Sequence, residues 1–285
     1  MTPVFHDAWS AVYNVTQRYG LELALNATTA SAAALFGTLG AQALATRTEK
    51  RQRLRSEIVA INQAIALTLS VANSLLSVKK QTISPLILRY RTLFLECAAV
   101  VSAGRGVVNL RGDLLTIRFP EVPIDPLRHV IFTKLNSARV VMVLTPLMQS
   151  VTELAVSITH RNQLDEEFLH LPPEEALDRY FGLRQPNGTI NEVFPHLMMA
   201  LESQDNEGLY FSELLIGELQ RYGNHLRAQL GKSAPAIAAV DLSRAVEFMP
   251  KREDYPDWER QFRQNTLERR SPFESLLLWL RIKKR

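Results

Sequence analysis

Cysteine and glycine are the scarce residues of this chain: one Cys and twelve Gly among 285 positions. A lone thiol closes no internal disulfide and builds no thiolate zinc site, which removes disulfide scaffolds and zinc ribbons and suits a reducing compartment. Cys97 stands among apolar neighbours with no His or basic residue close in sequence. Nothing there lowers its pKa, so it reads as a buried, inert thiol. Few glycines weigh against phosphate-cradling loops, and no G-x-x-x-x-G-K-[ST], G-x-G-x-x-G, G-x-S-x-G or H-E-x-x-H pattern occurs. Nucleotide, dinucleotide, serine-hydrolase and zincin chemistry therefore lack their motifs, and no cofactor is expected.

Charge of one sign is also missing. With 33 Lys plus Arg against 29 Asp plus Glu, the formal charge is only +4, too mild over this length to argue nucleic-acid binding without a local reader motif. What the chain does have is apolar substance: 46% of its residues are hydrophobic, enough to bury a core.

Two stretches carry no charge at all. Leu23 to Thr46 runs for 24 residues as LALNATTASAAALFGTLGAQALAT, and a helix of that length rises roughly 36 Å, enough to cross a hydrocarbon layer of about 30 Å. Its flanks agree with a span. Trp9, Tyr13 and Tyr19 precede it at the place of interfacial aromatics, and Arg47, Lys50, Arg51, Arg53 and Arg55 follow it. The positive-inside rule places residues 1–22 outside and everything after Arg47 in the cytoplasm, as in a signal-anchor. Ala33, Gly37 and Ala41 recur every four residues and form a helix-packing face through which copies of the chain can self-associate. The competing reading is an Ala-rich helix inside a soluble bundle.

The second stretch, Ile58 to Val78, has 21 uncharged residues. Asn62, Gln63, Ser70, Asn73, Ser74 and Ser77 share one arc at 100° per residue, while Ile58, Ile61, Ile65, Leu69, Ala72 and Leu76 occupy the rest. An uncharged polar stripe suits contact with another helix or with headgroups better than bulk water, and the helix is read as opening the cytoplasmic bundle. Residues 47–104 are thus taken as juxtamembrane amphipathic helices. The last of these is Ser84 to Ala103, with Pro85 at its first position.

Residues 105–285 read as a mainly α cytoplasmic domain with a small β-hairpin insert near 107–119. The arms Val107 to Leu110 and Leu114 to Phe119 flank a turn at Arg111, Gly112 and Asp113. Helices are expected over Pro126–Ser137, Val140–Leu169, Pro173–Phe181, Asn191–Ser203, Asn206–Leu230, Leu242–Phe248, Pro256–Arg270 and Pro272–Lys284. Thr189 with Glu192 and Ser271 with Glu274 form capping boxes, and Gly182 and Gly231 mark helix ends.

The densest polar cluster is His160, Arg161, Asn162, Asp165, Glu166, Glu167 and His170. Arg161 and His170 are the candidate catalytic pair of a helical hydrolase or nuclease, and Asp165, Glu166 and His170 are candidate ligands for a divalent ion. The spacings of Arg161 to His170 and of Arg221 to His225 both miss the Arg–His interval of the HEPN ribonucleases. His129, His196 and His225 stand alone. Tyr180, Phe181, Tyr210, Phe211, Met198 and Met199 are read as core. A final segment, FESLLLWL, places Phe273, Leu276, Leu277 and Leu280 on one face with Trp279 beside them, ahead of Arg281, Lys283, Lys284 and Arg285. With Arg47 to Arg55, this tail suits a bilayer carrying anionic lipid on its inner leaflet. The expected function is a membrane-anchored helical binding, sensing or assembly module. The alternatives are the Arg161/His170 enzyme and a soluble interaction protein.

Overall fold

The computed structural model describes residues 42, 44–103, 114–183, 188–255, 258 and 260, the side chains of 101–103 and 244 excepted. The chain divides into two compact units, Met1–Ser56 and Glu57–Arg285. Among the described residues the fold is mainly α, as the periodicity implies, with no strand longer than an isolated bridge residue.

Helix α1 covers residues 44–78, passes through a π-helical turn at Lys79–Ile83 and continues as α2 (Ser84–Ala103). Pro85 does not start a new helix. Ser84 has helical dihedrals (φ −62°, ψ −45°), and the π turn just before Pro85 is the local adjustment by which a helix carries a residue that lacks an N–H and crowds the preceding turn. The remaining helices are α3 (Ile124–Lys134), α4 (Ala138–His170), α5 (Pro173–Phe181) and α6 (Val193–Leu230). Short 3-10 turns follow at Gly231–Ser233, Ser243–Phe248 and Arg252–Asp254.

Helix α6 is the axis of the larger unit. Gly208, Leu209, Tyr210, Phe211 and Ser212 are buried in succession, so at that level the helix is enclosed on every side. Against it α1 runs antiparallel: a Cβ at Gly223 would lie 3.3 Å from Ile61, and one at Gly208 would lie 2.8 Å from Leu75. Glycine permits that approach, and any side chain at 208 would force Leu75 aside. Helix α4 is antiparallel to α6 as well, since Arg139 meets Glu218 at one end and Phe168 meets Phe194 at the other. The core is therefore the α1, α4 and α6 bundle, with Ile61, Ile65, Leu75, Leu144, Leu147, Leu154, Leu201 and Leu215 sequestered from water.

Several sequence expectations are met. Helix α5 has its expected bounds, and Gly182 ends it with a left-handed φ of 63°. Tyr180, Phe181, Tyr210, Phe211 and Met198 are core, whereas Met199 is 61% exposed. In α1 the apolar arc is buried at Ile58, Ile61, Ile65 and Ala72 and half-buried at Leu69 and Leu76, whereas the uncharged polar stripe, expected against another helix or headgroups, is left exposed by the described residues at Gln63, Ser70, Asn73 and Ser77.

Other expectations need correction. The second hairpin arm is not a strand: residues 114–123 have no regular structure, because Arg161 and Asn162 of α4 hold them by side-chain hydrogen bonds in place of a partner strand. The break expected between Ser203 and Asn206 is absent, and α6 runs through it with Asp205 turned inward. Thr189 and Glu192 form no capping box. The helix starts at Val193, whose N–H is taken by the Asn191 side chain at 3.1 Å. Residues 243–248 wind as 3-10 rather than α. The interfacial aromatics Trp9, Tyr13 and Tyr19, the packing face Ala33, Gly37 and Ala41, residues 107–113 and the segments from Gln261 onward lie outside the described residues, as does the apolar run but for Gln42, Leu44, Ala45 and Thr46.

By length and composition, two helices could cross a membrane, Leu44–Val100 and Ala138–His170. About half of each apolar window is buried inside the protein, 50% and 44% respectively, as the core helices of a bundle would be.

Candidate functional site

Helix periodicity divides the polar cluster of α4 into two faces. Arg161 and Asp165, one turn apart, follow Leu154 and Ile158 on the inward face. His160, Glu166, Glu167 and His170 are exposed. Nine residues along a helix amount to about 13 Å of rise and half a turn of rotation, so Arg161 and His170 are not brought together. Asp165 also points away from Glu166 and His170. Among the described residues no three His, Cys, Asp or Glu side chains converge as metal ligands.

The guanidinium of Arg161, fully buried, donates to the Leu115 carbonyl at 2.6 Å and lies 2.7 Å from the Asp165 carboxylate. Burial lowers the Arg161 pKa, and the charge of Asp165 opposes that change. Burial also lifts the Asp165 carboxyl to about 7, against the pull of Arg161. The direct contact nonetheless marks a charge pair, which the low-dielectric surroundings make costly to separate. Asn162 adds a second clamp: its amide accepts from Ile117 N–H at 2.9 Å and donates to the Ile117 carbonyl at 2.8 Å. A nucleic-acid phosphate has no route to an arginine held in this way. The chemistry of Arg161 here is positional, tying residues 115–117 to α4.

Beside this pair lies an aromatic cluster. Tyr180 stacks on Phe194 with ring centroids 4.4 Å apart, and Tyr90, Phe168 and Phe181 pack around them at 4.9–6.2 Å. Burial pushes the Tyr90 hydroxyl up to about 12. These contacts are core packing.

Three buried carboxylates escaped the sequence reading. Glu57 accepts from the Tyr222 hydroxyl and, at 2.8 Å, from Asn136 N–H, joining α1 to α6 and to the loop before α4. Glu218 meets Arg139 at 3.4 Å and also pairs with Arg221. Asp205 is 1% exposed, and neither of its oxygens takes a hydrogen bond among the described residues. Burial lifts its carboxyl to about 7, with Lys79 opposing. Each had been hidden by its setting: Glu57 closes a basic run, Glu218 sits in a helix that also carries surface charge, and Asp205 lies in a polar stretch that resembles a turn.

The isolated histidines are at the surface. His196 is 3.6 Å from Glu192 and His225 is 3.0 Å from Gln229, while Arg221, the other candidate beside His225, is engaged by Glu218. Arg47, Lys50, Arg51, Arg53 and Arg55 are all exposed on the helix that follows the apolar run. Compared with known proteins, the chain matches no protein-family model, no curated protein and no solved structure.

Proposed function

We propose that the chain is a membrane-anchored helical binding or assembly module, held by one span over residues 23–46 with its helical domain on the cytoplasmic side. The observation that carries this reading is the exposure of Arg47, Lys50, Arg51, Arg53 and Arg55 on a helix directly after 24 uncharged residues. Cations so placed attract anionic headgroups at about 1 kcal/mol each and set orientation by the positive-inside rule. The division of the α4 polar cluster between core and surface supports a module over an enzyme, because Arg161 and His170 share no substrate-sized space. The sequestered halves of α1 and α4 support a bundle in water for these helices, leaving residues 23–46 as the segment for lipid.

The test is fractionation of the full chain beside a variant lacking residues 23–46. Retention of the full chain in the membrane pellet through alkaline carbonate, with release of the variant, is the expected outcome. Recovery of the full chain in the supernatant refutes the anchor. Hydrolysis of an RNA or phosphoester substrate by the full chain, abolished by Arg161→Met and by His170→Ala, would replace the module with an enzyme.

A further inference from the structure

Among the described residues, helix α2 is covered on one side only. Its inner side carries Ile87, Leu93 and Cys97, all buried, and Tyr90, whose ring packs against Tyr180, Phe181 and Phe194 at 5.5–6.2 Å. The outer side carries Leu88, Thr92, Leu95 and Ala99, four exposed residues that fall within about 60° of arc at 100° per residue. Leu88 and Leu95 are each 68% exposed. Steps of four, three and four residues are those of a coiled-coil seam, here with Leu at one of the two inward positions and a smaller residue at the other.

The margins of that seam carry charge in a particular order. Arg89 and Glu96, both exposed, stand seven residues apart on one margin. On the other, Arg91 is engaged by Glu202 of α6 at 2.8 Å. Laid against an antiparallel copy of itself in the register that faces Leu88 with Ala99 and Leu95 with Thr92, the seam sets a smaller residue opposite every leucine. The same register brings Arg89 beside Glu96 of the second copy and Glu96 beside its Arg89, so the two-fold axis turns one favourable pair into two. A bilayer suits this strip less, since Glu96 would stand among anionic headgroups.

We infer that the outer face of α2 is the docking site for a second copy of this chain, joined as an antiparallel, two-fold pair of α2 helices. Its side-chain sizes and its charge order are both self-complementary, which a contact between identical patches requires. The inference gives the assembly part of the proposed module its partner, and to that extent rests on that reading. It uses residues of the larger unit alone, so self-association can fail while the membrane anchor stands, and the reverse.

Sedimentation of the full chain in mild detergent provides the test, and its mass should rise with concentration from one copy to two. Leu95→Asp, at an exposed position, should weaken the dimer at least roughly tenfold while circular dichroism shows unchanged helix content. Arg89→Glu alone and Glu96→Arg alone each set like charges across the seam twice and should weaken it by roughly the same factor. An equimolar mixture of these two variants restores both pairs and should recover the unaltered dimer. For the register, in a Cys97→Ala background, a Leu88→Cys chain oxidised together with an Ala99→Cys chain should give a disulfide-linked dimer that neither gives alone. A single copy at every concentration, or a dimer indifferent to Leu95→Asp, overturns α2 as the docking face. Failure of the mixture to recover overturns the charge pairing, and cross-linking of the Leu88→Cys chain to itself overturns the antiparallel arrangement.

Discussion

Asp165 and Asp205 are buried to a similar degree, and both carboxyls are lifted to about 7 by burial, yet their surroundings differ. Asp165 has a guanidinium 2.7 Å away on its own helix. The cation nearest Asp205 in effect is Lys79, which spends its hydrogen bonds on Asn206 and the Phe248 carbonyl. One region neutralises its charge within a single turn of helix. The other leaves a carboxyl to the field of a lysine that also holds the segment after α6, a strap over residues 234–255, by the Phe248 carbonyl. Both ends therefore lose stability as pH rises toward 7, and they differ in what opposes the charge: a guanidinium in direct contact at the α4 end, a lysine ammonium engaged elsewhere at the α1/α6 end.

The largest effect is expected at the α4 end. Arg161→Met removes the partner of a buried carboxylate and the anchor of Leu115, and should cost about 3–5 kcal/mol in urea unfolding, whereas Arg161→Met with Asp165→Leu should regain most of that loss. An additive or harmless result would show that the pair does not act as a unit.

Asp205→Asn should have the opposite sign. A carboxyl raised from 3.8 to about 7 binds its proton more readily folded than unfolded, so it erodes stability as pH rises from about 4 to about 7 and costs nothing below both values. The variant should match the parent near pH 4 and exceed it by roughly 1–3 kcal/mol at pH 8, the scale of a buried group without a hydrogen bond. A parallel pair of stability-versus-pH curves would remove Asp205 as a responsive group.

Smaller effects separate packing from strapping. Gly208→Ala puts a Cβ 2.8 Å from Leu75 and should cost about 1–3 kcal/mol by overpacking. Arg252→Ala removes an exposed pair with Glu213, a kind of contact worth about 0.5 kcal/mol or less, and should cost less than Gly208→Ala. Equal losses at these two sites would mean that the strap is as tightly built as the bundle.

Residue patterns disclosed the bundle better than its site. The Pro and Gly around residues 173–182 and the apolar period of 58–78 are local signals, and local signals set helix limits. The through-going α6 was misread because Gln204, Asp205 and Asn206 have the composition of a turn, whereas Asp205 belongs inside opposite Lys79 and Gly208 has to admit Leu75. Such contacts join residues more than 120 positions apart, and no window along the chain contains both partners. The strap was missed for a related reason: its hydrogen bonds are made by side chains of α1 and α6, so residues 234–242 carry no period of their own. In the polar cluster, chemistry was legible and direction was not, since proximity in sequence placed Arg161 and His170 together while rotation about α4 set them apart.

The π-helical turn at Lys79–Ile83 makes the rod from α1 into α2 sensitive to residue count. Before it, interior positions fall at steps of three or four, as at Ile61, Ile65, Thr68, Ala72 and Leu75; across it the step from Val78 to Ile83 is five, and Ile87 follows. That one additional residue resets the rotational phase of all that comes after. Deleting Gln81 would swing α2 by about 100°, carrying Ile87, Leu93 and Cys97 out of the interior and offering Leu88 and Leu95 in other directions. At this joint a substitution changes one contact, but a single-residue insertion or deletion re-indexes an entire helix.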